Sequence, residues 1–127
     1  QNEQGAIIYA NRAAETILGL TLNQMIGRDS MDPRWKSINP DGTELVGNKH
    51  PSMVSLRTGK PVSDAIMGVY HPGQERTVWI RVNATPKIIP GKKKAEGVFA
   101  IFEDVTSTFI PPSEKKVKSV GRTKKER

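Results

Sequence analysis

Apolar residues along this chain change period twice, and each change marks a change of element. Residues 5–10 (GAIIYA) form a short unbroken apolar run, which predicts a buried strand. From Asn11 onward, Ala13, Ala14, Ile17 and Leu18 recur at helical spacing, with Asn11 placed to cap the helix and Gly19 to end it. The stretch TLNQMIGR repeats this on a smaller scale. Thr21 is the cap, Leu22, Met25 and Ile26 share a face, and Gly27 is the stop.

Residues 29–50 lose periodicity. Within them Asn39, Pro40, Asp41 and Gly42 spell a turn, because Pro presets φ and Gly accepts a positive φ. A third short helix follows in HPSMVSLRTGKPV. Pro51 suits the first helical position, Met53, Val54 and Leu56 supply the expected inward stripe, and Gly59 with Pro61 stops it. The period then changes to two, and three strands are predicted over residues 62–70, 77–86 and 98–105. In the second of these Val78, Ile80, Val82 and Ala84 face one way and Trp79, Arg81, Asn83 and Thr85 the other. A polar loop, residues 90–97, separates the last two strands.

Helices followed by consecutive strands predict an α+β domain, with short helices on one face of an antiparallel sheet. Such a sheet buries one face. Trp79, Phe99 and Ile101 are bulky groups left over on the other, and they are read as an interface. After Ile110 the pattern ends. Pro111 and Pro112 break it, and the remainder has little to bury, so residues 108–127 are read as a disordered basic tail.

Composition narrows the chemistry. The chain has no cysteine, which excludes disulfides, thiolate metal sites, cysteine nucleophiles and cysteinyl–flavin adducts. It has no apolar run near the ~20 residues of a membrane helix and no signal-peptide pattern in QNEQG, so membrane contact is not expected of this stretch. Of the net charge of +7, residues 113–127 carry five, leaving a nearly balanced body; a nucleic-acid argument rests on that tail alone. There is no G-x-S-x-G elbow, no H-E-x-x-H and no phosphate loop, and Gly91 followed by three lysines has the wrong spacing for one. No enzymatic activity is expected.

The ordered series IIYANRAAETILGL, DPRWKSINPDGTEL, HPSMVSLRTGKPV, MGVYHPGQERTVWIRVNATP and GVFAIFEDVT resembles a PAS domain over residues 5–107. More narrowly it is similar to the bacterial and archaeal sensory subtype found in histidine kinases, two-component systems and cyclic-dinucleotide signalling proteins. The resemblance implies a sheet of five strands when complete, helices across one face, and a pocket between them. It also implies a first strand ahead of Gly5, where only four residues stand. Asp104, Val105 and Thr106 match the signature that couples the last strand to an effector, so Asp104 and Thr106 are the expected relay. Pro111 and Pro112 interrupt the helix that would follow.

The pocket is expected to be lined by Met53, Leu56, Met67, Ile80, Val82, Ala100 and Phe102, a list that also reads as plain core. Haem-binding relatives use a histidine from the helical region. His50, however, precedes Pro51 and is read as a helix-start residue, not an iron ligand; His71 sits in a turn, and the two make no metal motif. The resulting expectation is a cytoplasmic sensory module, not itself an enzyme. It would bind a small ligand of unknown identity or a protein partner, pair with a second copy, and act on a covalently attached effector. Two alternatives stand beside it: a dimerisation domain without ligand, and a nucleic-acid-associated module acting through the tail.

Overall fold

A computed structural model describes residues 1–92 and 94–109. Residues 110–127, with the Pro111–Pro112 break, lie outside these residues; Thr108 and Phe109, expected to open the disordered tail, are instead tied to the domain by N–H bonds to the Val105 carbonyl. The described chain runs through helices α1 (Arg12–Leu18), α2 (Leu22–Met25) and α3 (Pro51–Thr58), then strands β1 (Val62–His71), β2 (Arg76–Lys87) and β3 (Gly97–Asp104). Two 3₁₀ turns, Pro33–Trp35 and Gly47–Lys49, precede α3.

The helices start and stop where local chemistry dictates. The Asn11 side chain accepts from the Ala14 N–H, and Gly19 closes α1 in the left-handed conformation at φ 73°. Thr21 and Gln24 form a reciprocal capping box on α2. Pro51 opens α3 and Gly59 ends it at φ 71°.

The sheet is antiparallel in the order β1-β2-β3. Its register pairs Met67 with Ile80 and Val69 with Val78, then Val82 with Phe102 and Ala84 with Ala100. Val78, Ile80, Val82 and Ala84 are all buried, as their alternation requires, and the core gathers Leu18, Leu20, Met25, Trp35, Met67 and Val69 around them.

Among the described residues the sheet has three strands, with single bridges at both edges. Ile38 exchanges backbone hydrogen bonds with Gly68 beside β1, and Gln1 does the same with Val98 beside β3. The Ile38 bridge is carried by the predicted turn at Asn39–Gly42, where the Asn39 N–H bonds the Thr43 carbonyl at 2.8 Å.

Residues 5–10 are not the expected buried strand. Only Ile7 pairs with a separate segment, donating to the Arg28 carbonyl and accepting from the Gly27 N–H, while Gly5 and Ala6 bond back to Asn2 in a local turn with Gly5 at φ 88°. One residue's worth of pairing builds no ladder, and Ile8 and Tyr9 stand exposed. Ile26 is likewise exposed, because α2 ends at Met25 and the chain turns out at that point.

Candidate functional site

Between the helical segments and the inner face of the sheet lies a cavity of about 100 Å³, partly open to solvent. Its sheet wall is Met67 and Val69 from β1, Ile80 and Val82 from β2, and Ala100 and Phe102 from β3. Alternation puts these residues on one face, and the register brings the three strands' contributions level. Opposite them stand Leu18 at the end of α1, Trp35, and the start of α3.

Five of the seven pocket residues expected from sequence are in this wall. Met53 and Leu56 are not. The stripe of α3 that turns inward is Pro51, Ser52 and Ser55, while Met53, Val54 and Leu56 lie half-buried at its flanks, Met53 against Gly5. Small residues let the helix approach the sheet closely. Ser55 is fully buried there with its Oγ unpartnered.

His50 also differs from its expected place. It does start the helix, but its ring makes no cap; it is only 7% exposed and forms part of the cavity wall with Ser30 and Ser52. Burial pushes its pKa below the ordinary 6.5, partly offset by the Leu45 carbonyl, so the ring is held toward its neutral form. Sequence spacing missed this because a residue before Pro51 has no helical periodicity to betray its direction. His71 is buried too, and is not among the residues lining the cavity. Its Nδ1 accepts from the Gln74 N–H at 3.0 Å, and its ring covers Gly19.

The wall at Trp35 is braced from outside. The indole Nε1–H donates to the Asp29 carbonyl at 2.8 Å, and the Arg28 guanidinium stacks 4.7 Å above the ring. Asp32 caps the same turn. It accepts from the Arg34 side chain at 2.6 and 3.0 Å and from its backbone N–H, which lowers the carboxyl pKa to about 2.

On the outer face of the sheet the expected interface divides. Phe99 and Ile101 are 61% and 72% exposed, opposite Thr85 and Asn83, with the Arg81–Glu103 ion pair next along at 2.8 Å. Trp79 is instead buried, at 3% exposure. Gly68 opposite it has no side chain, so the indole lies across the vacancy, and the Phe109 ring packs on it at 5.4 Å. The chain supplies its own cover for Trp79, which is a core residue of the outer layer.

That cover is fastened at the end of β3. The Val105 N–H donates to the Trp79 carbonyl at 2.8 Å. The Trp79 N–H donates to Thr106 Oγ1 at 2.9 Å, and the Thr106 hydroxyl and N–H both donate to Asp104 Oδ1. Asp104 and Thr106 thus meet, and through Thr106 they grip the middle strand.

Among the described residues no cluster of three or more His, Cys, Asp or Glu is placed to hold a metal ion, and no helix is long and apolar enough to cross a membrane. An antiparallel sheet roofed by short helices over an apolar cavity, with the last strand's exit tied back to its neighbour, is the build of a sensory α+β domain. The model of the PAS fold matches residues 1–105, and the chain belongs to that family of sensory modules. No curated protein matches the sequence. A solved structure of the Vibrio cholerae VqmA dimer, described as a DNA-binding LuxR-type receptor that shifts conformation widely without target DNA, is similar in fold. The TM-score is 0.56 at 18% identity, over 85% of this chain. This chain spans 45% of the length of that one.

Proposed function

We propose that this chain is a sensory PAS module of the bacterial and archaeal type. It receives a small ligand in the cavity and passes the resulting shift through the end of β3 to an attached effector such as a histidine kinase. The observation that carries this reading is the double duty of β3. Ala100 and Phe102 stand in the cavity wall, and two residues beyond Phe102 the same strand enters the Asp104–Thr106 clasp on Trp79. A ligand that favours one position of Phe102 biases the clasp by as much as its affinities for the two states differ. Domain limits widened from 5–107 to take in Gln1 beside β3 and Phe109 on Trp79, a second copy paired through Phe99 and Ile101, and a cytoplasmic setting belong to the same reading.

The test uses the chain as purified from cells. Small molecules released by denaturing it are identified by mass spectrometry and added back to stripped protein. Binding that slows amide exchange at Trp79 and Val105, and that is lost in Ala100→Leu, supports the relay. Binding that leaves those amides untouched sinks it.

A second reading, a dimerisation domain without ligand, is favoured by the exposure of Phe99 and Ile101. Light scattering on wild type and Ile101→Lys addresses it: a monomeric wild type argues against this reading. Nucleic-acid binding through the tail draws only on the charge of residues 113–127 and disappears if removing the tail leaves salt-sensitive binding unchanged.

A further inference from the structure

We propose that the cavity takes a small, uncharged, mostly apolar molecule bearing one hydrogen-bonding group, which is held by the imidazole of His50 and the hydroxyl of Ser52. This inference rests on the cavity being a ligand site and specifies the ligand's chemistry.

Three features of the cavity lead there. The first is size. At about 100 Å³ it is smaller than the roughly 150 Å³ cavity that holds a benzene molecule. A single small ring or a branched chain of about seven heavy atoms fills it, with part of the molecule in the open mouth. Porphyrin and flavin rings need several times that space.

The second is how the polarity is distributed. The sheet wall is wholly apolar, from Met67 to Phe102. The polar side chains gather on the opposite side, where Ser30, His50 and Ser52 are each buried at nine-tenths or more. His50 does not cap the helix; the Leu45 carbonyl takes one ring nitrogen, and a neutral imidazole keeps the other as an acceptor. A ligand with a matching donor at this end gains a hydrogen bond where an unmet polar group is costly. An apolar body against the sheet and one polar group at the His50 end is therefore the complementary shape.

The third is charge. The ring of His50 is held toward neutrality by its burial. Asp29, the one carboxylate in the wall, is half-buried and already accepts from the Met31 N–H at 2.9 Å. The Gln1 ammonium, also in the lining, donates to the Val98 carbonyl at 3.0 Å, and none of these groups offers an ion enough to offset leaving water.

The experiment titrates the full chain with three probes of equal heavy-atom count, followed by NMR shifts of the cavity methyl groups. They are phenol, toluene and the cation N-methylpyridinium. The expected order is phenol about tenfold tighter than toluene, a factor equal to one good hydrogen bond, with no saturable binding of the cation. His50→Leu is expected to erase the preference for phenol while toluene still binds. Ser52→Ala, which keeps the helix start intact, is expected to reduce it, and serves if His50→Leu does not fold. Toluene binding as well as phenol, or saturable binding of N-methylpyridinium, overturns the proposal and leaves the cavity as a ligand site. Failure of all three probes overturns both.

Discussion

The hydroxyl of Thr106 accepts a hydrogen bond from the backbone N–H of Trp79 at 2.9 Å, across 27 residues of chain. With the Val105 N–H on the Trp79 carbonyl, this closes the outer end of β2 by the segment that leaves β3. Asp104 orients the hydroxyl by accepting its proton at 2.5 Å, leaving the oxygen's lone pair toward Trp79.

Replacing Thr106 with Val keeps the volume and removes the acceptor. The Trp79 N–H is then left without its partner, and urea denaturation is expected to show a loss of about 1–2 kcal/mol. Amide exchange localises the effect: Trp79 and Val105 exchange faster, while Val54 and Gly59, bonded within α3, keep their protection. Uniform acceleration everywhere means the clasp is not a separable unit.

Trp79 and its apparent companions separate under substitution. Trp79→Ala removes a buried ring with Phe109 and Gly68 against it and is expected to cost about 3–5 kcal/mol. Phe99→Ser and Ile101→Ser touch exposed side chains, and denaturation midpoints should stay within about 0.5 kcal/mol of wild type. Any change they make belongs in self-association, read by light scattering.

Gly19 is held by two demands at once. Its φ is 73°, and a Cβ there runs into the His71 ring. Gly27 has a φ of 85° with nothing within 4 Å of the added atom. Gly27→Ala therefore costs only the left-handed penalty of about 1–2 kcal/mol. Gly19→Ala adds a clash with a packed ring and should lower the melting temperature further, by roughly 4–8 °C for each additional kcal/mol. Equal losses at the two sites would show that the His71 ring moves freely aside.

The pH dependence follows from His50. Its folded pKa lies below the ordinary 6.5 because burial disfavours the charged ring. The unfolded chain therefore takes up the proton first. Stability from this group is intact above pH 6.5 and is lost as pH falls below it toward the folded value. Melting temperatures at pH 7.5 and 5.5 are expected to differ more in wild type than in His50→Leu. Equal differences in the two proteins rule out the buried ring as a source.

Much of the fold can be read from the residues in order. Val78, Ile80, Val82 and Ala84 alternate because the sheet has one inner face, and all four are buried. Asn11, Thr21, Gly19 and Gly59 cap and stop helices through bonds that span no more than a few residues, which is why they are legible without the rest of the chain. The strand expected at residues 5–10 failed for the opposite reason. Its apolar run was suitable, but a strand exists only beside another, and the neighbour here is a two-residue loop.

Local chemistry in the sequence thus determined where each helix and strand begins and which side of each strand is apolar, since caps, turns and alternation act over one to four residues. Only the tertiary structure decided which way α3 rolls, so that Ser52 and not Met53 faces the cavity, and that His50 is walled in. Only it decided that Trp79 is covered by Phe109 while Phe99 and Ile101 are not. Those outcomes depend on which segments, tens of residues apart, come to lie against one another, and burial is a property of that meeting and not of any residue alone.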